Sequence, residues 1–365
     1  MKKINFKSFI PSLISILLGM TIGVIVLFVA NPANGLEGMI RLFKGPFNYG
    51  FLKGMGDMFY YATPILMTGL SVGFAFQTGL FNIGASGQFI VGAFTAVYIA
   101  IKWTFIPGPL LWIVALLGAG LAGALWALPT GLFKAWRNVN EVITSIMMNY
   151  IGMYTVNYTI RNSGIYDSLR NQTLSPKVTI PTFGLENLFP NSFVNGGIVI
   201  AIIFAIITHI VLNKTIFGFE IKAVGLNRHA SRYAGINEKR NIVLSMLIAG
   251  FISGVGGGLA YLASTGRHIT VNNVLAAEGF NGIAVALLGL NKPIGIVLSA
   301  LFISYINLGG QAMQPIGYVP EIVSMMIAII LYISALSVLF QQLLSRRKKP
   351  QGETLANNGE VKVNE

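Results

Sequence analysis

The sequence GLFNIGASGQ, from Gly79 to Gln88, places three glycines, one asparagine and one glutamine between two long apolar runs. Hydrocarbon offers no hydrogen-bond partner to a free backbone amide, so a non-helical turn at membrane depth survives only where protein surrounds it or where it lines a wet cavity. We therefore interpret this stretch as a polar elbow, hinged at Gly79, Gly84 and Gly87, beside a passage through a membrane.

The composition of the whole chain indicates the same environment. Of 365 residues, 54% are hydrophobic and only 10% are charged, whereas about a quarter of the residues of a soluble domain carry a charge. The 42 glycines favour close approach of helix backbones, which is how helices associate in lipid. The predicted fold class is an all-α membrane protein.

Several function classes are disfavoured by residue usage. The chain has no cysteine, and its three histidines, His209, His229 and His268, are too far apart for any standard ligand spacing. We expect no metal site, no thiol chemistry and no cofactor. The formal charge of +13 does not call for a nucleic acid, because Lys and Arg of a membrane protein collect on its cytoplasmic face.

Apolar runs long enough to span a bilayer predict about ten transmembrane helices. Their approximate bounds are 9–30, 57–77, 83–101, 109–132, 141–160, 194–213, 241–264, 275–290, 293–310 and 320–341. With the N-terminus and C-terminus both inside, most of the 25 Lys and Arg residues fall in cytoplasmic segments. We thus predict a transmembrane domain over 1–345 and a disordered cytoplasmic tail over 346–365.

Two segments lie outside the predicted spans. Residues 161–193 are polar and are placed outside the cell, whereas residues 214–240 are basic and are placed inside. In the inner segment, Asn227 is a good N-cap and Gly235 a good C′ residue for a helix of about two turns. This helix is either a solvated connector or a docking helix that inserts into a soluble partner. As a docking helix it would pack through Ala230, Tyr233 and Ala234, with Arg228 and Arg232 at the rim of the interface.

A second polar and glycine-bearing stretch, AAEGFNGIAVALLG from Ala276 to Gly289, opens the eighth span. Spans two to five and seven to ten begin from opposite sides, which suggests an inverted repeat with a substrate site between interrupted segments. Glu278 lies at the edge of a span and needs water or a partner; Arg267, His268 or a polar cavity could supply it. Asn149, two turns into the fifth span, is a candidate for pore contact or interhelical bonding.

The elbow residues leave two interpretations open. Gly84 and Gly87 could simply permit close helix packing, with Asn82 and Gln88 hydrogen-bonding between helices. Alternatively, these amides could border the solute route.

Four motifs in order carry a family resemblance. They are GLSVGFAFQTGLFNIGASGQFIVGAF from Gly69, VNEVITSIMMNYI from Val139, AVGLNRHASRYAGI from Ala223 and EGFNGIAVALLG from Glu278. The chain resembles permease subunits of ABC importers for nucleosides and simple sugars, of the ribose/galactose type, and especially nucleoside permeases of Gram-positive bacteria.

This resemblance implies a multi-pass protein of the bacterial plasma membrane and a set of partners. It implies a separate ABC ATPase, a second and often non-identical permease subunit, and an extracytoplasmic substrate-binding lipoprotein. The segment from Asn227 to Gly235 matches the coupling helix of the family. Other matched positions are polar residues of the core motifs, namely Asn82, Gln88, Asn149 and Asn281, which with Glu278 form the predicted substrate pathway.

The mechanism expected from the resemblance is alternating access driven by the ATPase. The chain itself has no G-x-x-x-x-G-K-[ST] phosphate loop, so we expect no ATP hydrolysis by it. An ion-coupled secondary transporter is the main alternative, but it requires an acidic residue deep in a span, and Glu278 is the only plausible one. An intramembrane enzyme would need paired carboxylates or an H-E-x-x-H motif, and the sequence has neither.

Overall fold

The computed structural model describes residues 10–335, and almost all of the regular structure there is helical. The predicted tail over 346–365 and the end of the tenth predicted span lie outside the described residues. The helices, in chain order, are α1 (Ile10–Ala30), α2 (Gly35–Lys44), α3 (Phe51–Phe76), α4 (Ala85–Lys102), α5 (Gly108–Arg137), α6 (Glu141–Asn162), α7 (Leu185–Leu188), α8 (Gly197–Lys214), α9 (Ile216–Leu226), α10 (Arg228–Tyr233), α11 (Glu238–Tyr261), α12 (Ala277–Leu288), α13 (Pro293–Met313) and α14 (Pro320–Ala335).

Six helices of the described chain are long and apolar enough to cross a membrane: α3, α4, α5, α8, α11 and α13 with the turn that follows it. Each of the other four predicted spans also coincides with a helix, but a count of ten spans is not confirmed. The apolar parts of α1 and α14 are shorter, and α6 is less apolar. Helix α12 has 12 residues, about 18 Å at 1.5 Å per residue, which is too short to cross about 30 Å of hydrocarbon.

Helices α4, α5 and α11 approach one another so closely that only glycine fits at their contacts. A Cβ atom on Gly254 of α11 would lie 2.3 Å from the carbonyl oxygen of Ala119 on α5, and one on Gly92 of α4 would lie 2.4 Å from the Cα atom of Gly254. Gly123 and Gly250 meet in the same way. Small residues at such crossings let packing replace the hydrophobic effect that is absent in lipid.

The segment between α6 and α8 covers one end of the bundle, here called the loop end. It carries a two-stranded antiparallel hairpin, β1 (Tyr166–Asp167) and β2 (Gln172–Thr173). The Ile180 amide donates to the Leu262 carbonyl at 2.9 Å, which ties the segment to the end of α11. Helices α9 and α10 lie at the opposite end, here called the α10 end.

The predicted elbow is shorter than the sequence suggested. The backbone is non-helical between the end of α3 at Phe76 and the start of α4 at Ala85. Gly79 adopts a φ of +72° there, a conformation that glycine reaches without steric cost. Gly84 is the N-cap of α4, and Gly87 already lies inside this helix. Gly87 is therefore a packing position, not part of the turn.

Helix α2 was not predicted, because it falls between the first two apolar runs. Its buried residues are Gly35, Gly38 and Leu42, whereas Leu36, Ile40 and Phe43 are exposed. Arg41 pairs with Glu37 one turn away and also donates to the Ala312 carbonyl at 2.9 Å. These contacts fix α2 across the end of α13.

Candidate functional site

A cavity of about 450 Å³ opens between α3, α12 and α13 at the loop end of the bundle. This volume is within the usual range of small-molecule sites, roughly 300–1,000 Å³. Its lining combines aromatic, neutral polar and charged side chains: Tyr60, Tyr61, Pro64, Ile65, Phe193, Thr265, Arg267, Glu278, Asn281 and Asn307.

Aromatic rings from α3 and from the covering segment form one wall of the cavity. The ring centroids of Tyr60 and Tyr61 are 5.1 Å apart, and those of Tyr60 and Phe193 are 6.0 Å apart. The Tyr60 hydroxyl is 3.0 Å from the Thr265 hydroxyl. Pro64 lies within α3 and has no N–H, so the Tyr60 carbonyl loses its helical donor.

Asp57 holds Phe193 against this wall. Its carboxylate accepts a hydrogen bond of 2.8 Å from the Phe193 amide, and the residue is buried. A buried carboxylate is costly without such a partner. Asp57 therefore positions the covering segment relative to α3 without itself lining the cavity.

Arg267 and Glu278 form an ion pair at the cavity wall. The guanidinium of Arg267 also lies over the Tyr261 ring, 4.7 Å from its centroid, in cation–π geometry. Burial lowers the pKa of Arg267, but the attraction of Glu278 and Tyr261 outweighs it, so that the pKa is raised overall. Because a cation and an anion are paired here, the two side chains together add no net charge to the cavity.

Helix α12 begins beside buried parts of α3 and α4. The Thr68 hydroxyl donates to the Glu278 carbonyl at 2.8 Å, and the Ser86 hydroxyl donates to the Ala276 carbonyl at 2.8 Å. A Cβ atom on Gly279 would lie 2.4 Å from the Cα atom of Ser86. The loop after α11 thus returns into the bundle, where irregular backbone is tolerated because protein and the cavity surround it.

The three amides predicted for the pathway near the elbow lie elsewhere. Asn82 and Gln88 exchange side-chain hydrogen bonds of 2.9 and 3.0 Å, and both are buried. Asn149 is also buried; it donates to the Ile83 carbonyl at 3.0 Å and accepts from the Gly87 amide at 2.8 Å. None of the three lines the cavity, whereas Glu278 and Asn281 do.

The predicted cytoplasmic helix is present as α10. The Asn227 side chain caps it by accepting from the Ala230 amide at 3.0 Å, and Gly235 follows with a φ of +81°. Arg228 pairs with Glu238 at 2.7 Å and donates to the Asn138 side chain at 3.1 Å, which fixes α10 to α11 and to the end of α5. Exposed residues on this turn are His229, Ala230, Arg232, Tyr233, Ala234 and Gly235.

Residues 54–335 match the family described as branched-chain amino acid transport system / permease component. The chain belongs to this permease family. It is an integral membrane transport subunit and not an enzyme, because members of the family are permease components of ABC systems. No solved structure matches the permease.

Curated relatives of the permease cover most of its length. It is 37% identical over 341 residues to the guanosine ABC transporter permease protein NupP of Bacillus subtilis, which is 92% of this chain and 96% of that protein. It is 35% identical to the nucleoside ABC transporter permease protein NupB of Lactococcus lactis, over 94% of each chain. A glucose ABC transporter permease protein, TsgB13 of Haloferax volcanii, is 30% identical over 79% of this chain and 75% of its own. A second guanosine permease protein of Bacillus subtilis, NupQ, is 28% identical over 76% of this chain and 88% of its own.

Most of the cavity residues of the permease were missed by sequence reasoning. Tyr60, Tyr61 and Asn307 are single polar or amphipathic side chains within apolar runs, where the pattern alone does not separate them from packing residues. Pro64 was an available signal, since a proline inside a span frees a backbone carbonyl. Phe193 and Thr265 come from segments outside the predicted spans, and only the tertiary structure brings them to the cavity.

Proposed function

We propose that the permease forms the membrane pathway of an ATP-driven importer for nucleosides, with the cavity at the loop end as its solute site. The similarity to guanosine and nucleoside permeases over more than nine-tenths of the chain is the observation that carries this proposal. A simple sugar is the second candidate, favoured by the glucose permease of Haloferax volcanii.

The chemistry of the cavity is consistent with a nucleoside. A nucleoside is uncharged, has a flat base and carries many donors and acceptors. The aromatic wall of Tyr60, Tyr61 and Phe193 offers faces for a base, and Asn281 and Asn307 offer amides that pair with base edges or ribose hydroxyls. Arg267 and Glu278 neutralise each other, so the cavity does not select for a charged solute.

The site residues divide between two roles in this proposal. Asn281 and Glu278 border the solute route directly. Asn82, Gln88 and Asn149 act through the elbow, because their hydrogen bonds hold α4 and α6 against the end of α3. Alternating access would then open and close the route by moving these packed helices.

The α10 segment would receive the motion of a separate ABC ATPase. Its exposed surface around Tyr233 and Ala234 is free to dock, and the Arg228–Glu238 pair would pass the movement to α11. The remaining partners are an extracytoplasmic substrate-binding lipoprotein at the loop end and a second, non-identical permease subunit. The separately named guanosine permeases NupP and NupQ of one Bacillus support such a pair.

The proposed topology has ten membrane-inserted helices, with spans two to five and seven to ten as an inverted repeat and both termini in the cytoplasm. The excess of Lys and Arg in the segments placed inside supports this orientation. Residues 1–345 would form the permease domain, with 161–193 extracytoplasmic and 214–240 on the cytoplasmic side. Helix α12 would be a half-helix that begins within the membrane, because the loop after α11 returns into the bundle.

Ion coupling is the weaker alternative. It requires a carboxylate that is free to bind a proton or sodium. Of the two acidic residues at the cavity wall or just behind it, Glu278 is paired with Arg267 and Asp57 accepts from the Phe193 amide.

Uptake of radiolabelled guanosine by cells that lack their own nucleoside importers tests the proposal. The complete importer should give uptake that is lost when the phosphate-loop lysine of the ATPase is replaced, and that persists with a protonophore while ATP is maintained. Labelled glucose in the same cells separates the two solute classes. Guanosine uptake that is abolished by the protonophore but unaffected by the ATPase variant would favour ion coupling.

A further inference from the structure

A second, much smaller cavity adjoins the solute cavity. Four of its lining residues also line the solute cavity: Tyr60, Tyr61, Pro64 and Arg267. The others come from α3, from the covering segment and from α11: Thr63, Asn195, Leu259 and Ala260. Its volume of about 10 Å³ gives room for about one water-sized group. We call it the Asn195 cavity.

The Asn195 side chain brings an unused hydrogen-bond donor to this cavity. Asn195 is only 4% exposed, and its Oδ1 atom accepts from the Gly197 amide at 2.8 Å. Within the described residues, its Nδ2 atom has no hydrogen-bond partner. Exchanging the two atoms would set an NH2 group against the Gly197 N–H, so the donor side of the amide faces away from Gly197. A buried donor without a partner is costly, which indicates that a group from outside this chain binds it.

Helix α3 adds acceptors to the same cavity. Pro64 has no N–H, so the Tyr60 carbonyl lacks its helical donor, and both residues line the Asn195 cavity. The Thr63 hydroxyl donates to the Phe59 carbonyl at 2.8 Å, which leaves its oxygen as an acceptor only. A group that fits this cavity must therefore accept one hydrogen bond and donate another.

We infer that the Asn195 cavity is the subsite for one hydroxyl of the sugar unit of the solute. This inference rests on the proposed function, which supplies the solute. A hydroxyl both accepts and donates through a single oxygen, and one oxygen is what the volume admits. A carbonyl of a base only accepts and an exocyclic amine only donates, so neither satisfies both sides. A hydroxyl can also replace a water there without loss of hydrogen bonds.

The first turn of α8 brings this amide close to α3. A Cβ atom on Gly197 would lie 2.7 Å from Oδ1 of Asn195 and 3.3 Å from Cγ2 of Thr63. The Gly196 amide donates to the Pro181 carbonyl at 2.9 Å, which holds the preceding turn in place. A bound hydroxyl would thus lie between α3 and the start of α8.

Uptake of guanosine and its deoxy analogues by the complete importer tests the inference. The analogues are 2′-deoxyguanosine, 3′-deoxyguanosine and 5′-deoxyguanosine, and each is compared between the wild type and Asn195→Leu at solute concentrations well below saturation. Because the substrate-binding protein is the same in both, its own preference cancels in the comparison. Loss of the hydrogen bond should lower guanosine uptake by about tenfold, whereas uptake of the analogue that lacks the bound hydroxyl should not fall. The ratio of guanosine uptake to analogue uptake should therefore fall about tenfold for one analogue and stay unchanged for the other two.

Asn195→Ser provides a second variant, because leucine also removes the acceptor of the Gly197 amide. A serine hydroxyl can accept from the amide two residues on, but it is one atom shorter and lacks the NH2 group. This variant should shift the same ratio. Asn187→Leu, an exposed position in the same segment, is the matched control and should shift none.

Equal losses for guanosine and all three analogues would mean that the Asn195 cavity holds water only. A change in more than one ratio, or no loss at all, would also overturn the assignment. Absence of guanosine uptake by the complete unmodified importer would refute the proposed nucleoside function instead. If that importer carries glucose, the same comparison with monodeoxy glucoses tests the subsite.

Discussion

The side-chain amides of Asn82 and Gln88 exchange two hydrogen bonds, of 2.9 and 3.0 Å, in a site closed to solvent. Asn82 also donates to the Ser71 hydroxyl at 3.2 Å. Asn82 belongs to the turn after α3 and Gln88 to the first turn of α4, so the pair closes the elbow with polar groups that satisfy each other. In apolar surroundings such a pair specifies one geometry, because any other leaves buried groups unpaired.

The stability losses from replacing the two amides of this pair should not be additive. Asn82→Leu or Gln88→Leu leaves buried donors and acceptors unsatisfied and should lower the free energy of unfolding by about 1–3 kcal/mol. The double variant should lose less than the sum of the two single losses. Thermal unfolding of the purified permease in detergent measures this, with Asn281→Leu at the open cavity as a control that should change stability little. Additive losses would contradict the mutual pairing.

Full transport activity should depend on the Arg267–Glu278 pair. Arg267→Ala leaves the Glu278 carboxylate at the cavity wall without its cation, and it releases the loop after α11 from α12. Because both changes disturb the cavity, uptake should fall by about tenfold. The charge-reversed pair, Arg267→Glu with Glu278→Arg, should recover part of it. Uptake per amount of protein in the membrane is the measurement, and Asn273→Ala in the same loop is the control. Wild-type uptake by the Arg267→Ala variant would show that the pair is dispensable.

A charge on the exposed surface of α10 should uncouple the permease from its ATPase. Tyr233 is 95% exposed, so Tyr233→Asp should not disturb folding or insertion. It should abolish uptake and recovery of the ATPase with the permease, because a buried unpaired charge opposes docking. Lys239→Asp, an exposed position in the first turn of α11, should leave recovery unchanged. Equal loss from both variants would mean that net charge at this end matters, and not the α10 surface.

The glycine contacts between α5 and α11 should tolerate no larger residue. Gly254→Leu would force the backbones apart, because a Cβ atom at this position would lie 2.3 Å from the Ala119 carbonyl oxygen, and overpacking of this kind destabilises. We expect loss of the monodisperse peak in fluorescence-detected size-exclusion chromatography. Gly108→Ala should retain that peak, since its nearest neighbour would be 3.8 Å away. A normal elution profile for Gly254→Leu would argue against the close packing.

The sequence by itself determined the class of the protein, the approximate positions of the ten helices that coincide with the predicted apolar runs, and the short capped helix α10. These features depend on local pattern: apolar run length, scarcity of charge, an Asn that caps and a Gly that ends a turn. The four ordered motifs were also enough to indicate the permease family. Apolar run length could not decide where a helix begins and ends, so residues 275–290 were predicted as a span although the 12 residues of α12 are too few to cross the hydrocarbon.

The tertiary structure alone decided which polar residues meet. Asn82 and Asn281 are equivalent in the sequence, as lone amides among small residues, yet one is buried in a closed pair and the other lines the cavity. The reason is that the cavity is assembled from α3, the covering segment, the returning loop, α12 and α13, which are distant in the chain. Packing between these elements decides which side chains are buried and which line the cavity, and no local sequence pattern determines that outcome.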